Sequence, residues 1–147
     1  MENFSGAERA YRIMQEKGYT FVALNFRRRL SSKERGVKPL LRLLDNSDTL
    51  FGLDVADRVI GKAAAFLYVL LEARSIRVGV ISESALRVLE RYGIPVRADL
   101  VVPAIRNRTD TGFCPMESAV REIEGPHEAL TAILWTQKAL DDGSYVF

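Results

Sequence analysis

The chain's 147 residues predict an α/β fold whose sheet is parallel in its second half. Three observations carry that expectation. From Phe51 onward, strand-like and helix-like patterns alternate, strand–helix three times over, which argues for a sheet with a parallel portion and helices packed on both its faces. Ahead of this, the β-branched and aromatic run "YTFVALNF" (Tyr19–Phe26) is followed at once by "RRLSS", so a hairpin adds an antiparallel edge. Finally, the longest apolar run, Ala63–Leu71, has the character of a helix too apolar to face water. It falls well short of the roughly 20 residues that a bilayer span needs, so it is assigned to a core.

Each element has its own signal. Gly6–Lys17 is a helix with Ala7, Ala10, Tyr11 and Met14 as its apolar stripe, Ser5 as candidate N-cap and Gly18 as its stop. The hairpin turn falls around Asn25–Arg28, with no Asn-Gly pair to fix it. "GVKPLLRLLDNS" is a helix with Pro39 in its first turn. "LFGLDVADRVI" (Leu50–Ile60) holds a strand, and Gly61–Ala73 is the apolar helix. Ser75–Ile81 is a strand by alternation, and "SESALRVLERYG" is a helix capped by Ser82 or Ser84 and ended by Gly93. A strand begins near Val96, a polar loop "PAIRNRTDTGF" follows, Pro115 opens a short helix, and residues 127–140 form a last helix before a fraying tail. There is no repeat, linker or low-complexity segment, so one domain over residues 1–147 is expected.

Composition closes off several classes. With 21 basic and 19 acidic residues the net charge is +2, too near neutral for a whole-surface attraction to nucleic acid or anionic membrane. No basic n-region precedes an apolar block at the N-terminus, and the lone cysteine forms no intrachain disulfide; both fit a cytoplasmic setting. One Cys and one His cannot supply a zinc site, and no DxD or ExxE spacing announces a carboxylate site. Neither metal nor cofactor is expected.

In open sheets of this kind, ligands sit where the carboxyl ends of strands meet helix N-termini. Three segments fall at such points. The first is Asp57–Lys62. It is not a P-loop, because eight residues separate Gly52 and Gly61 and Ala63 stands where a hydroxyl would bind Mg²⁺. Gly61 would bring backbone N–H groups close to an anion, and Lys62 would add charge. A lysine at a helix start runs against the dipole, so it calls for an anionic ligand, unless it pairs with Asp57 or snorkels to solvent. The second is "SESA", where Ser82, Glu83 and Ser84 are ordinary capping chemistry placed at a strand's carboxyl end. The third is "RNRTDTGFCPMES". With Pro115 at the first helical position, Cys114 becomes the N-cap and Glu117 the third helical residue, a capping-box spacing with a thiol in place of the hydroxyl. A helix start with Arg106 or Arg108 nearby favours thiolate, and His127 is the one histidine available as its base. Against this, a free cysteine is more often a small buried hydrophobe.

The basic segment Arg27–Lys38, with Arg27, Arg28, Arg29, Lys33, Arg35 and Lys38 beside Phe26 and Tyr19, offers a nucleic-acid or protein interface as an alternative function. A charged hairpin edge that resists aggregation is the commoner use of such residues, and no RNA- or DNA-binding signature accompanies them.

Taken together, "RGVKPLLRLL", "VADRVIGKAAAFL", "GVISESALRVLERYGI" and "VPAIRNRTDTGFCPMESAV" resemble, in order, a small prokaryotic family of unknown function placed in the cytidine-deaminase-like superfamily. The resemblance runs from about Tyr19 to Ile123. It implies a three-layer α/β/α fold with a mixed sheet of about five strands, residues 127–140 being a helical extension, and it implies assembly as a homo-oligomer. The superfamily's zinc enzymes carry a His/Cys-Ala-Glu motif and a Pro-Cys-x-x-Cys motif at two helix starts. The corresponding places here are "GKAAA" and "SESAL", which lack the ligands and the catalytic Glu, so zinc-dependent deamination is not expected. What the resemblance leaves is a pocket: Asp57, Gly61, Lys62, Ser82, Glu83, Ser84, Asn107 and Glu117 as ligand-binding residues and Cys114 at the rim, suited to a small polar, nucleoside- or nucleotide-like ligand. The rival is an enzyme that uses Cys114 as nucleophile or redox thiol.

Overall fold

The structure is a computed structural model, and it describes residues 3–106 and 114–146. Its elements are α1 (Ser5–Lys17), β1 (Phe21–Leu24), β2 (Arg29–Ser32), α2 (Lys38–Asp45), β3 (Asp54–Ile60), α3 (Lys62–Leu71), β4 (Ser75–Ser82), α4 (Glu83–Arg91), β5 (Val96–Val102), α5 (Pro115–Val120) and α6 (Pro126–Asp142). The five strands form one sheet in the order β2-β1-β3-β4-β5. β1 runs antiparallel to both β2 and β3, while β3, β4 and β5 are parallel. The mixed five-stranded sheet is therefore as expected, with the hairpin inserted beside β3.

The hairpin closes through Asn25. Its N–H donates to the Arg28 carbonyl, and its side-chain oxygen accepts from the Arg27 and Arg28 amides, so one asparagine does the work of an Asn-Gly turn. α1 ends as predicted at Gly18, whose φ of 70° lets its N–H reach the Met14 carbonyl. Its start differs. Phe4, not Ser5, is the capping residue, and the Ser5 amide donates to Asn3 instead.

The layers are unequal. α1 alone covers one face, burying Ala10 and Met14 against Val22, Leu24 and Ala56. α3 and α4 lie together on the other face, because two successive crossovers of one hand along β3-β4-β5 deliver both helices to the same side. The alternation therefore does not place its helices on both faces; α1 supplies the second layer. α2, α4, α5 and α6 then pack around α3. This is why α3 is apolar on every side: Ala63, Ala65, Phe66, Leu67, Tyr68 and Leu71 are all buried, and Val69 and Leu70 are half-buried. At the far end of β3, Asp54 is buried, held by Arg74 at 2.6 and 3.0 Å and by Ser75 at 2.7 Å. Among the described residues no helix is long and apolar enough to cross a membrane.

Candidate functional site

A cleft of about 1300 Å³ opens beside the carboxyl end of β3, between the β2–α2 connection, the first turns of α3, α5 and the end of α6. Asp57, Gly61, Cys114 and Glu117 all line it. It also takes in Phe21, Val37, Pro39, Ala63, Ala64 and Met116 as apolar wall, and Lys33, Arg35, Arg58 and Arg106 as cations. Four of the predicted site residues are thus brought to one concavity that is apolar with a few convergent polar groups.

Asp57 is the centre of its chemistry. In the sheet it lies between Phe21 of β1 and Val78 of β4, and its side chain turns toward α3. There the Tyr68 hydroxyl donates to Oδ2 at 2.5 Å, while the Val59 amide meets Oδ1 at a long 3.4 Å. Burial pushes this carboxyl up to about 7, against hydrogen bonds from Tyr68, Val59 and Arg58 that favour its charged form. Tyr68 is held well above the ordinary phenol range, first by burial and then by the Asp57 charge and hydrogen bond. Tyr68 is the site residue that the sequence did not announce. Its signal was a tyrosine inside an otherwise apolar helix, since a buried phenol needs a partner. The Tyr68 ring also stacks on Phe21, with centroids 6.5 Å apart.

Glu117 does not complete a capping box in its own helix. It reaches across to α3, and its carboxylate sits where a side chain on residue 61 would begin. Burial raises its carboxyl, while the amides of Ala63 and Lys62 and the Lys62 charge hold it down. The N-terminus of α3 is thus capped by an acid of the same chain. Gly61 is extended there, at φ −97°, so it is contact with Glu117 and not backbone freedom that excludes a larger residue.

Lys62 points elsewhere. It is buried, its ammonium donates to the Arg121 carbonyl at 3.2 Å, and Glu124 lies 3.9 Å away. Its ion pair is thus with Glu124 and not Asp57, its charge also acts on Glu117, and it does not line the cleft. Ser82 is fully buried and accepts from the Ala85 amide at 3.2 Å, with the Ser84 hydroxyl 3.3 Å away; Glu83 is exposed. Ser82 caps α4, Glu83 and Ser84 stand in its first turn, and none of the three lines the cleft. Asn107 lies outside the described residues. Cys114 is half-buried on the cleft wall, and its side chain makes no capping bond to α5. His127 is exposed on the first turn of α6 and does not line the cleft, so it is not placed as a base for the thiol.

The basic segment is dispersed. Arg28 pairs with Asp48 at 3.0 Å, Lys38 with Asp141 at 3.1 Å, and the Lys33 ammonium lies 5.9 Å from the centre of the Tyr19 ring. Phe26 projects fully into solvent at the hairpin tip. Arg35 and Lys33 belong to the rim of the cleft instead.

Residues 9–134 match the family described as a domain of unknown function, DUF1893, a span that takes in the whole sheet and α2 to α5. The chain belongs to the DUF1893 family. It is similar to the crystal structure of a DUF1893 family protein, TM1506, from Thermotoga maritima, at 29% identity and a TM-score of 0.83 over 92% of each chain. No curated protein matches it. DUF1893 membership therefore confirms a family of unknown function and brings no activity with it; what the cleft does has to be argued from its own residues.

Proposed function

We propose that this DUF1893 protein is a small-molecule-binding domain that holds a nucleoside- or nucleotide-like ligand in the cleft between β3, α3 and α5. The observation that carries the reading is the convergence of Asp57, Tyr68 and Glu117 on one concavity whose mouth bears Lys33, Arg35 and Arg58, the Glu34 between them being paired with Arg42. Acids within and cations at the mouth suit a ligand with hydrogen-bonding groups at one end and an anion at the other. Apolar wall from Val37, Pro39, Ala63 and Met116 suits a flat, uncharged middle. The cytidine-deaminase-like resemblance points to the same ligand class by analogy, on a fold that has lost the zinc motifs.

The α3 N-terminus is not the anion site in this reading, because Glu117 already caps it. The ligand's anion belongs with the rim cations. Binding without chemistry accounts for Cys114: it is wall, not nucleophile.

Thermal unfolding with nucleosides and nucleoside mono- and diphosphates tests this. A ligand present at a hundred times its Kd stabilises the fold by about 2.7 kcal/mol, a shift of several degrees. Cys114→Ser is expected to keep the affinity. If no compound of this class at millimolar concentration moves the transition or the amide resonances of the cleft, the proposal fails.

A further inference from the structure

Within that cleft, and resting on the reading of it as a ligand site, we infer that the Asp57–Tyr68 pair is the ligand-reading contact and that it takes the ring nitrogen of a nitrogen heterocycle. Three features of the geometry point there. First, Asp57 lines the cleft and keeps partial exposure, while Tyr68 behind it has none. Second, Tyr68 occupies Oδ2 at 2.5 Å, which fixes the carboxyl plane, while Oδ1 has only a long 3.4 Å contact to the Val59 amide and the Arg58 amide also faces the carboxyl. A carboxyl oxygen in that state retains capacity for a further bond. Third, the mutually stacked Phe21 and Tyr68 rings, both buried, back the carboxyl, and Pro39, Ala63, Ala64 and Met116 give the cleft an apolar wall suited to a flat ring.

The bond that such a group makes follows from the charges around it. Tyr68 faces the carboxyl from α3, with the amides of Val59 and Arg58 from its own strand. The strand neighbours, Phe21 and Val78, carry no charge. Glu117 from α5 and Arg35 from the loop before α2 line the same cleft. Lys33, Arg58 and Arg106 line it too, but among the described residues no salt bridge reaches Asp57, and burial raises its carboxyl to about 7, so it holds a proton up to near neutral pH. A protonated Oδ1 is a donor, and its complement is an unprotonated acceptor such as a heteroaromatic ring nitrogen. In the complex one proton is shared between Oδ1 and that nitrogen; none is gained or lost elsewhere, and no covalent bond changes. A ligand with a hydroxyl or an ammonium at this point would not need the proton.

The pH dependence is then fixed. Below about 7 the free site already carries the proton and affinity is flat. Above it, binding must take a proton up, so affinity falls roughly tenfold for each pH unit. The test is an NMR titration of the full chain with 2-aminopyrimidine at pH 6 and pH 8.5, with aniline, which lacks the ring nitrogen, as control. AMP is titrated in parallel. The expected result is that 2-aminopyrimidine shifts the Asp57 and Tyr68 resonances at pH 6, more than tenfold more weakly at pH 8.5, and that aniline does not compete. Asp57→Asn keeps a donor amide and is expected to bind with the pH dependence removed. Asp57→Ala is expected to lose at least tenfold in affinity. Binding that is independent of pH in the wild type, or equal for aniline, overturns the inference. If AMP shifts cleft resonances and 2-aminopyrimidine does not, this inference falls and the cleft reading stands. If neither shifts them, both fall.

Discussion

The Glu117 carboxylate occupies the space in which a Cβ on residue 61 would stand, so α5 is latched to the start of α3 by an acid and a missing side chain. Gly61→Ala forces that acid out. Overpacking of this kind costs about 1–3 kcal/mol. In a Glu117→Ala background the same substitution meets no obstacle, and it gains up to about 1 kcal/mol by stiffening the unfolded chain. A urea double-mutant cycle measures the difference. Equal effects of Gly61→Ala in the two backgrounds would show that the latch does not exist.

Asp57 makes stability fall as pH rises, the reverse of a salt-bridged carboxylate. Its folded value, about 7, lies above the unfolded 3.8, so between those limits the folded state binds the extra proton. The contribution is intact below pH 4 and is lost progressively up to pH 7, amounting to at most about 4 kcal/mol. Asp57→Asn still accepts from Tyr68 and carries no charge to desolvate. It is expected to match the wild type at pH 4 and exceed it at pH 8 in urea midpoint. A wild-type advantage at pH 8 would refute the buried, raised carboxyl.

Lys62 is expected to be replaceable. Its ammonium serves the Arg121 carbonyl and Glu124, both on exposed residues that water can satisfy in its place, and its charge also favours the Glu117 carboxylate, which keeps the Ala63 and Lys62 amides as partners. Lys62→Met keeps a buried stem but removes the ammonium that lies 5.8 Å from the centre of the Phe66 ring, and it is expected to cost about 1–2 kcal/mol. AMP-induced shifts in the cleft should be unchanged. A tenfold loss of affinity would place the lysine in the site after all.

These cases mark what was legible in the sequence. The sheet was, because its signals are local: the β-branched run at Tyr19–Phe26, the alternation at Ser75–Ile81 and the turn at Gly18 each act within a few residues. The burial of α3 was also legible, since nothing else tolerates Ala63–Leu71 in water. Partner choice was not. Glu117 stands three residues after Cys114, a spacing that fits a local capping box, yet its carboxylate goes to Gly61, 56 positions back in the chain. Lys62 follows Asp57 by five residues but turns to the end of α5, while Asp57, still in β3, turns to Tyr68. Tyr68 and Asp57 meet only because α3 folds back over β3. Long-range pairs of this kind are set by packing, which spacing does not encode.

Ser82, Glu83 and Ser84 stand at the carboxyl end of β4, yet they open α4 outside the cleft. Ser82 is fully buried and its hydroxyl accepts the Ala85 amide, so Ser82→Ala strands a donor at the start of α4 and is expected to cost about 1 kcal/mol. Ser84 touches only the Ser82 hydroxyl, and Glu83 is exposed, so Ser84→Ala and Glu83→Gln should each stay within about 0.5 kcal/mol. None of the three should alter nucleotide affinity. Urea denaturation paired with ligand titration separates the two roles. A variant that keeps its urea midpoint and loses affinity would return "SESA" to the binding site, whereas the reverse pattern fixes it as the cap of α4.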